Sequence, residues 1–120
     1  MGYTSEVAIR CEEKAYEMLR EAYKCVNLKP LAVYKDEDEY IIHWKEVKWS
    51  KLHEDAAFIM TVLDALDDMK YIDGLSGYGY KLVVVGEDYD DVTVRDNDEG
   101  IELWLIRKVD IPQDLDTVEA

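Results

Sequence analysis

Basic residues are scarce in this 120-residue chain: 14 Lys and Arg stand against 28 Asp and Glu, a formal charge of −14 at pH 7. A surface with two acids per base repels phosphate, which excludes direct binding to nucleic acid or to an anionic membrane. Long apolar runs are missing too. No segment nears the ~18 consecutive apolar residues of a membrane span, and the opening MGYTSEVAIRCEEK lacks the basic-then-apolar order of a secretory signal. The expectation is a soluble protein of the cytoplasm. Cysteine is limited to Cys11 and Cys25, at opposite ends of one predicted helix. At ~1.5 Å rise per residue they lie roughly 21 Å apart, too far for a disulfide. Two free thiols fit a reducing compartment and the role of small apolar residues.

Motifs of catalysis and metal binding are absent as well. His43 and His53 are the only histidines, with no HxH, HxxxH or CxxC spacing to make a zinc site. The acidic stretches Glu87 to Asp91 and Asp96 to Gly100 resemble calcium loops in composition only. With Gly100 at position 6 of an EF-hand loop, Arg95 falls at position 1 and Ile106 at position 12, so both ends of the ligand set fail. Asn97 to Gly100 reads instead as a hairpin turn in which glycine supplies positive φ. Ser5, Ser50 and Ser76 lack a nucleophile elbow, and Gly74 to Gly79 lacks both the P-loop lysine and the strand-to-helix context of a dinucleotide fingerprint. Asp88 with Asp90 or Asp91 could pair for acid–base chemistry, but no pocket-forming pattern surrounds them. No cofactor and no metal are expected, and the chain reads as non-enzymatic.

The composition does contain a core. Hydrophobic residues make up 48% of the chain, and a domain of this length buries roughly two thirds of its unfolded surface. Val7, Ile9 and Cys11 alternate with Glu6, Ala8 and Arg10, which predicts a strand over Thr4 to Cys11. Apolar steps of three and four from Ala15 to Val26 predict a helix over Glu12 to Val26, stopped by Asn27 and Pro30. Leu31 to Tyr34 and Tyr40 to Trp49 read as strands about the turn Asp36-Glu37-Asp38-Glu39. The apolar set of the second strand moves from Tyr40, Ile42 and Trp44 to Val47 and Trp49, a change of parity that a bulge near Lys45-Glu46 explains. A second helix follows, capped by Ser50, with Leu52, Ala56, Ile59, Leu63 and Leu66 as its core stripe widened by Phe58, Val62 and Met69. A Tyr- and Gly-rich loop from Tyr71 leads into a central strand over Tyr80 to Val85. Gly86 to Gly100 reads as a polar connection and Ile101 to Ile111 as the last strand. The order β-α-β-β-α-β-β predicts an α+β two-layer sandwich resembling the ferredoxin-like fold, with an antiparallel sheet and both helices on one face. Residues 1–112 form one domain, and 113–120 read as a loose tail.

The negative charge is unevenly placed. Residues 1–60 carry a net −3 and residues 61–120 a net −11, and Gly86 to Gly100 alone holds seven acids and one base. Asp64, Asp67 and Asp68 sit in the last turns of the second helix, where they oppose its dipole at up to about 1 kcal/mol each. This lopsidedness points to a basic protein partner. The contact residues expected from the pattern are Glu87, Asp88, Asp90, Asp91, Asp96, Asp98 and Glu99, together with Asp64, Asp67 and Asp68. Tyr78 and Tyr80, from the Tyr/Gly loop, are the expected aromatic anchors.

With MGYTSEVAI at its start, Trp44 and Trp49 ahead of an amphipathic helix, and Leu82-Val83-Val84-Val85-Gly86-Glu87-Asp88 running into acids, the chain resembles small acidic proteins of phages and prophages. In size and charge it is similar to phage anti-defence inhibitors, anti-CRISPR and anti-restriction proteins among them, some of which imitate DNA. The resemblance implies a non-enzymatic inhibitor whose acids occupy a basic nucleic-acid-binding surface on a host nuclease or other defence protein. Two other functions stay open: a regulatory module binding a small ligand on the sheet face opposite the helices, near His43 and Trp104, and a metal-dependent hydrolase using the acidic loop. A homodimer through an exposed Trp104 face is also open.

Overall fold

A computed structural model describes residues 4–50, 52–86, 92–101, 103–105, 109–110 and 116–119, with the backbone alone for 104, 105, 109, 110, 116 and 119. The elements are β1 (Ser5–Glu12), α1 (Glu13–Cys25), β2 (Ala32–Asp36), β3 (Glu39–Val47), α2 (Glu54–Tyr71), β4 (Tyr80–Val85), β5 (Val92–Asp96), β6 (Trp104–Leu105), β7 (Val109–Asp110) and β8 (Asp116–Glu119). The protein is α+β: the described residues form two helices and a six-stranded sheet in the order β5-β4-β1-β3-β2-β8, antiparallel at every ladder.

Alternation in β1 sets the layers. Val7, Ile9 and Cys11 point to the helix side and join Leu19, Val33, Ile42, Trp44, Ile59, Leu63, Leu66, Tyr80 and Leu82 in the main core, so both helices cover one face. Each buried Leu or Ile of α2 contributes about 2 kcal/mol of transfer free energy. In β3 the register with β1 slips between Val7↔Trp44 and Ser5↔Val47, giving β3 one extra residue, and Glu46 sits at φ 55°. This is the bulge expected at Lys45-Glu46, and it returns Val47 and Trp49 to the helix side. Asn27, at φ 59°, ends α1, and Glu37, at φ 58°, turns β2 into β3.

The opposite face is not open. Ala8, Ile41, Val83 and Val85 form a second buried cluster with Leu103, and β7 approaches β1 and β4 across this face. The single strand expected over Ile101 to Ile111 is therefore corrected to two short strands paired with each other outside the main sheet. The polar connection expected over Gly86 to Gly100 contains β5, an edge strand on β4. Its Val-Thr-Val run has strand propensity, but all three side chains are exposed, so no alternation marked it. Residues 116–119, within the segment read as a loose tail, pair as β8 with β2.

At the start of α2 the N-cap position is His53 instead of Ser50. The Ser50 hydroxyl accepts the Leu52 N–H and bonds His53 Nδ1, forming a turn ahead of the helix. Leu52 is 93% exposed and Phe58 40%, so neither belongs to the core stripe. Cys11 is buried and Cys25 exposed; both are free thiols. No helix among the described residues is long and apolar enough to cross a membrane.

Candidate functional site

The end of α2 meets β5 and the turn that follows it. Arg95 on β5 faces the helix side and donates from its Nη2 to Asp64 Oδ1 (2.5 Å) and Asp67 Oδ2 (2.8 Å). Lys70 pairs with Asp98 at 2.8 Å. These contacts hold residues distant in sequence at one end of the molecule and relieve part of the conflict between the helix dipole and its terminal acids. Burial opposes the charge on Arg95, but hydrogen bonds to Asp67 and Asp64 outweigh it and raise the guanidinium above its ordinary value. The hydrogen bond from Lys70 holds Asp98 below the ordinary carboxylate value, aided by the Gly100 N–H.

Neutralisation is incomplete. Among the described residues, Asp64, Asp67, Asp68, Asp98 and Glu99 are five carboxylates against the two cations Arg95 and Lys70. Asp68 and Glu99 are exposed and carry no ion pair among the described residues. Asp73 adds a further exposed carboxylate beside Asp68, since its N–H bonds the Asp68 carbonyl just past the helix end. The sequence pattern had not singled out Asp73, although it follows the last turn of an acid-ended helix. Asp96 is also exposed but lies opposite Lys81 in the β4–β5 register, on the other sheet face from Arg95. Glu87, Asp88, Asp90 and Asp91 lie outside the described residues.

The tyrosines divide. Tyr80 is fully buried, and its hydroxyl donates to Asp67 Oδ1 at 3.0 Å, which corrects its assignment as a surface anchor. Burial raises its phenol above the ordinary range, with the Asp67 hydrogen bond acting in the same direction and Arg95 opposing. Tyr78 is half-buried against the main core with Lys14 Nζ 5.7 Å from its ring centre. Tyr71 is exposed.

Gly77 and Gly79 serve chain packing. Gly77 has φ 91° with the Lys14 side chain against it, and a Cβ on Gly79 would meet Glu12 Oε1 at 2.5 Å. Gly79 N–H donates to that Glu12 oxygen at 2.9 Å. Buried Asn97 fixes the same stretch: its Oδ1 accepts the Tyr80 N–H (2.8 Å) and its Nδ2 donates to the Tyr78 carbonyl (3.1 Å). Gly100 has no positive φ, contrary to the hairpin expectation; the turn is made by Asp98 Oδ1, which accepts the Gly100 N–H at 2.9 Å.

Arg10 bridges Asp36 (2.8 Å) and Glu39 (2.6 Å) and braces the β2–β3 turn against β1. His43, expected on an open sheet face, is buried, with Nε2 2.6 Å from Glu6 Oε2 and Nδ1 without a hydrogen-bond partner. The Trp104 side chain lies outside the described set. A groove of about 410 Å³ between α1 and the β3-β2-β8 end of the sheet is lined by Glu13, Tyr16, Glu17, Arg20, Lys35, Tyr40 and Val118 and mixes both charges. No three His, Cys, Asp or Glu side chains among the described residues are gathered as a metal site requires. In comparison with known proteins, the chain matches no family model, no curated protein and no solved structure.

Proposed function

We propose that this chain is a non-enzymatic, phage-type inhibitor that binds a basic protein through its acidic surface and blocks that protein's nucleic-acid-binding site. The observation that carries the reading is the joining of the α2 terminus to β5 and its following turn by Arg95 and Lys70. Among the described residues it concentrates carboxylates there in excess of cations and leaves Asp68, Asp73 and Glu99 to solvent. Such a surface presents negative charges on a rigid element, as a phosphate backbone does, and attracts the lysines and arginines that contact phosphate. The partner class is a host defence nuclease, an RNA-guided nuclease or restriction enzyme, met in the host cytoplasm. We also propose that β4-β1-β3-β2 with α1 and α2 forms a ferredoxin-like core, a reading supported by the antiparallel order of those four strands.

The test is a panel of purified RNA-guided and restriction nucleases cutting duplex DNA with increasing amounts of this protein. The expected result is inhibition of at least one enzyme, relieved between about 50 and 200 mM salt and lost on Asp68→Lys, Asp73→Lys and Glu99→Lys together. Inhibition that survives the three reversals, or none across the panel, overturns the proposal.

A further inference from the structure

Helix α2 carries two apolar stripes. Ala56, Ile59, Leu63 and Leu66 are buried against the sheet. Phe58, Val62, Ala65, Met69 and Ile72 recur at steps of four, three, four and three, which at ~100° per residue places them about 120° further round the helix. This second stripe is left partly at the surface: Phe58 is 40% exposed and Ile72 76%, Ala65 and Met69 are half-buried, and Val62, also half-buried, packs in part against the main core. Leu75, 47% exposed, folds back with its N–H on the Met69 carbonyl and extends the strip past the helix end. From Phe58 to Ile72 the strip is roughly 21 Å long. A surface helix needs one apolar face to build its domain, and a second, continuous with exposed Leu75, marks an interaction surface.

The border of the strip identifies its occupant. Asp68 lies along one side together with Asp64, which Arg95 already pairs, while Glu54 and Asp55 stand at its start and Asp73 at its end. The one base within α2, Lys70, is engaged by Asp98. A second copy of a chain with formal charge −14, docked helix to helix here, would set these carboxylates against their equivalents. A segment with apolar residues at helical spacing and lysine or arginine on its flanks meets both the strip and its border. We propose that the Phe58-to-Ile72 strip docks an amphipathic, basic-flanked helix of the partner protein. The inference rests on the acidic-surface reading above and assigns the apolar half of that contact, where exclusion of water turns steering into affinity.

The test uses two fluorescent amidated peptides of about 18 residues and equal charge. One has Leu at i, i+3, i+4 and i+7 with Lys on the other face, and the second replaces every Leu by Ser. Anisotropy titrations compare the parent with Phe58→Ser/Ile72→Ser, both exposed positions, and thermal melts check that the variant is folded. The expected result is tighter binding of the Leu peptide by the parent, weakened about tenfold or more in the double variant, with weak and unchanged binding of the Ser peptide. Equal binding of the Leu peptide by parent and variant overturns the assignment of the strip and leaves the acidic-surface reading standing. Failure of both peptides to bind the parent overturns both. Sedimentation showing a parent dimer that the double variant abolishes would assign the strip to a second copy and also overturn the proposal. If the double variant does not melt cooperatively, the same titrations are read on Leu75→Ser.

Discussion

Replacing Asn97 by alanine tests whether the acidic turn is held by the contacts described. The side chain is buried, and its amide does two tasks at once, accepting the N–H of fully buried Tyr80 and donating to the Tyr78 carbonyl. Alanine leaves the Tyr80 N–H in the interior without an acceptor, at about 2 kcal/mol, and removes the donor from the Tyr78 carbonyl, at about 1 kcal/mol. The Asn97 backbone bond to the Tyr80 carbonyl, at 3.2 Å, is unaffected. A total near 3 kcal/mol, with a urea m-value of about 2 kcal/mol/M for a domain of this size, lowers the unfolding midpoint by about 1.5 M. Urea titration followed by tryptophan fluorescence measures the shift, with exposed Asp96→Ala as a neighbour expected to move it by less than about 0.3 M. A comparable shift in both variants, or a shift below about 0.3 M for Asn97→Ala, refutes the reasoning.

Three further outcomes follow from the same contacts. Tyr80→Phe removes only the hydroxyl that donates to Asp67 and costs about 1 kcal/mol, measured by the same titration. Asp98 has a folded-state value below its ordinary 3.8, so its contribution is present above that pH and is lost as pH falls through the lower, folded value. Asp98→Asn therefore lowers stability at neutral pH and flattens the acid side of the stability–pH profile, and an unchanged acid limb contradicts the assignment. In the folded protein a thiol reagent modifies Cys25 and spares Cys11, whose thiol is pushed up by burial and by nearby Glu39 and Glu12. Denaturant releases the second equivalent.

The sequence made the helix-side core readable because strong periodicities there coincide with burial. Val7, Ile9 and Cys11 alternate, Ile59, Leu63 and Leu66 follow helical steps, and the parity change after Trp44 located a bulge that the register contains. Periodicity misled where apolar residues are present but not buried. Leu52 and Phe58 fit a core stripe in spacing and face solvent, because Leu52 lies in the turn ahead of α2 and Phe58 on a second apolar strip of the helix turned from the sheet. The opposite face of the sheet was missed for another reason. Its cover involves Leu103 and β7, brought there by long-range chain return, and short strands leave little local signal.

The acidic region was legible in amount but not in arrangement. Charge counting found Asp64, Asp67 and Asp68, yet the cation that gathers two of them, Arg95, lies 28 residues or more away on a strand hidden among acids. Tyr80 looked like a surface anchor by composition, whereas its hydroxyl satisfies Asp67 from the interior. Pairing by Arg95 and Lys70 also shifts the exposed charge toward Asp68, Asp73 and Glu99. That redistribution decides which substitutions test binding and which merely loosen the fold.

The most direct test of the acidic-surface account is the salt dependence of binding to an inhibited nuclease, measured for the parent and for the combined Asp68→Lys, Asp73→Lys and Glu99→Lys protein. The account predicts that the parent's affinity falls steeply as salt rises, that DNA competes for the same site, and that the reversed protein binds at least about a hundredfold more weakly at low salt while melting like the parent. Equal affinities for the two proteins, or binding that is indifferent to salt and to DNA, would contradict it.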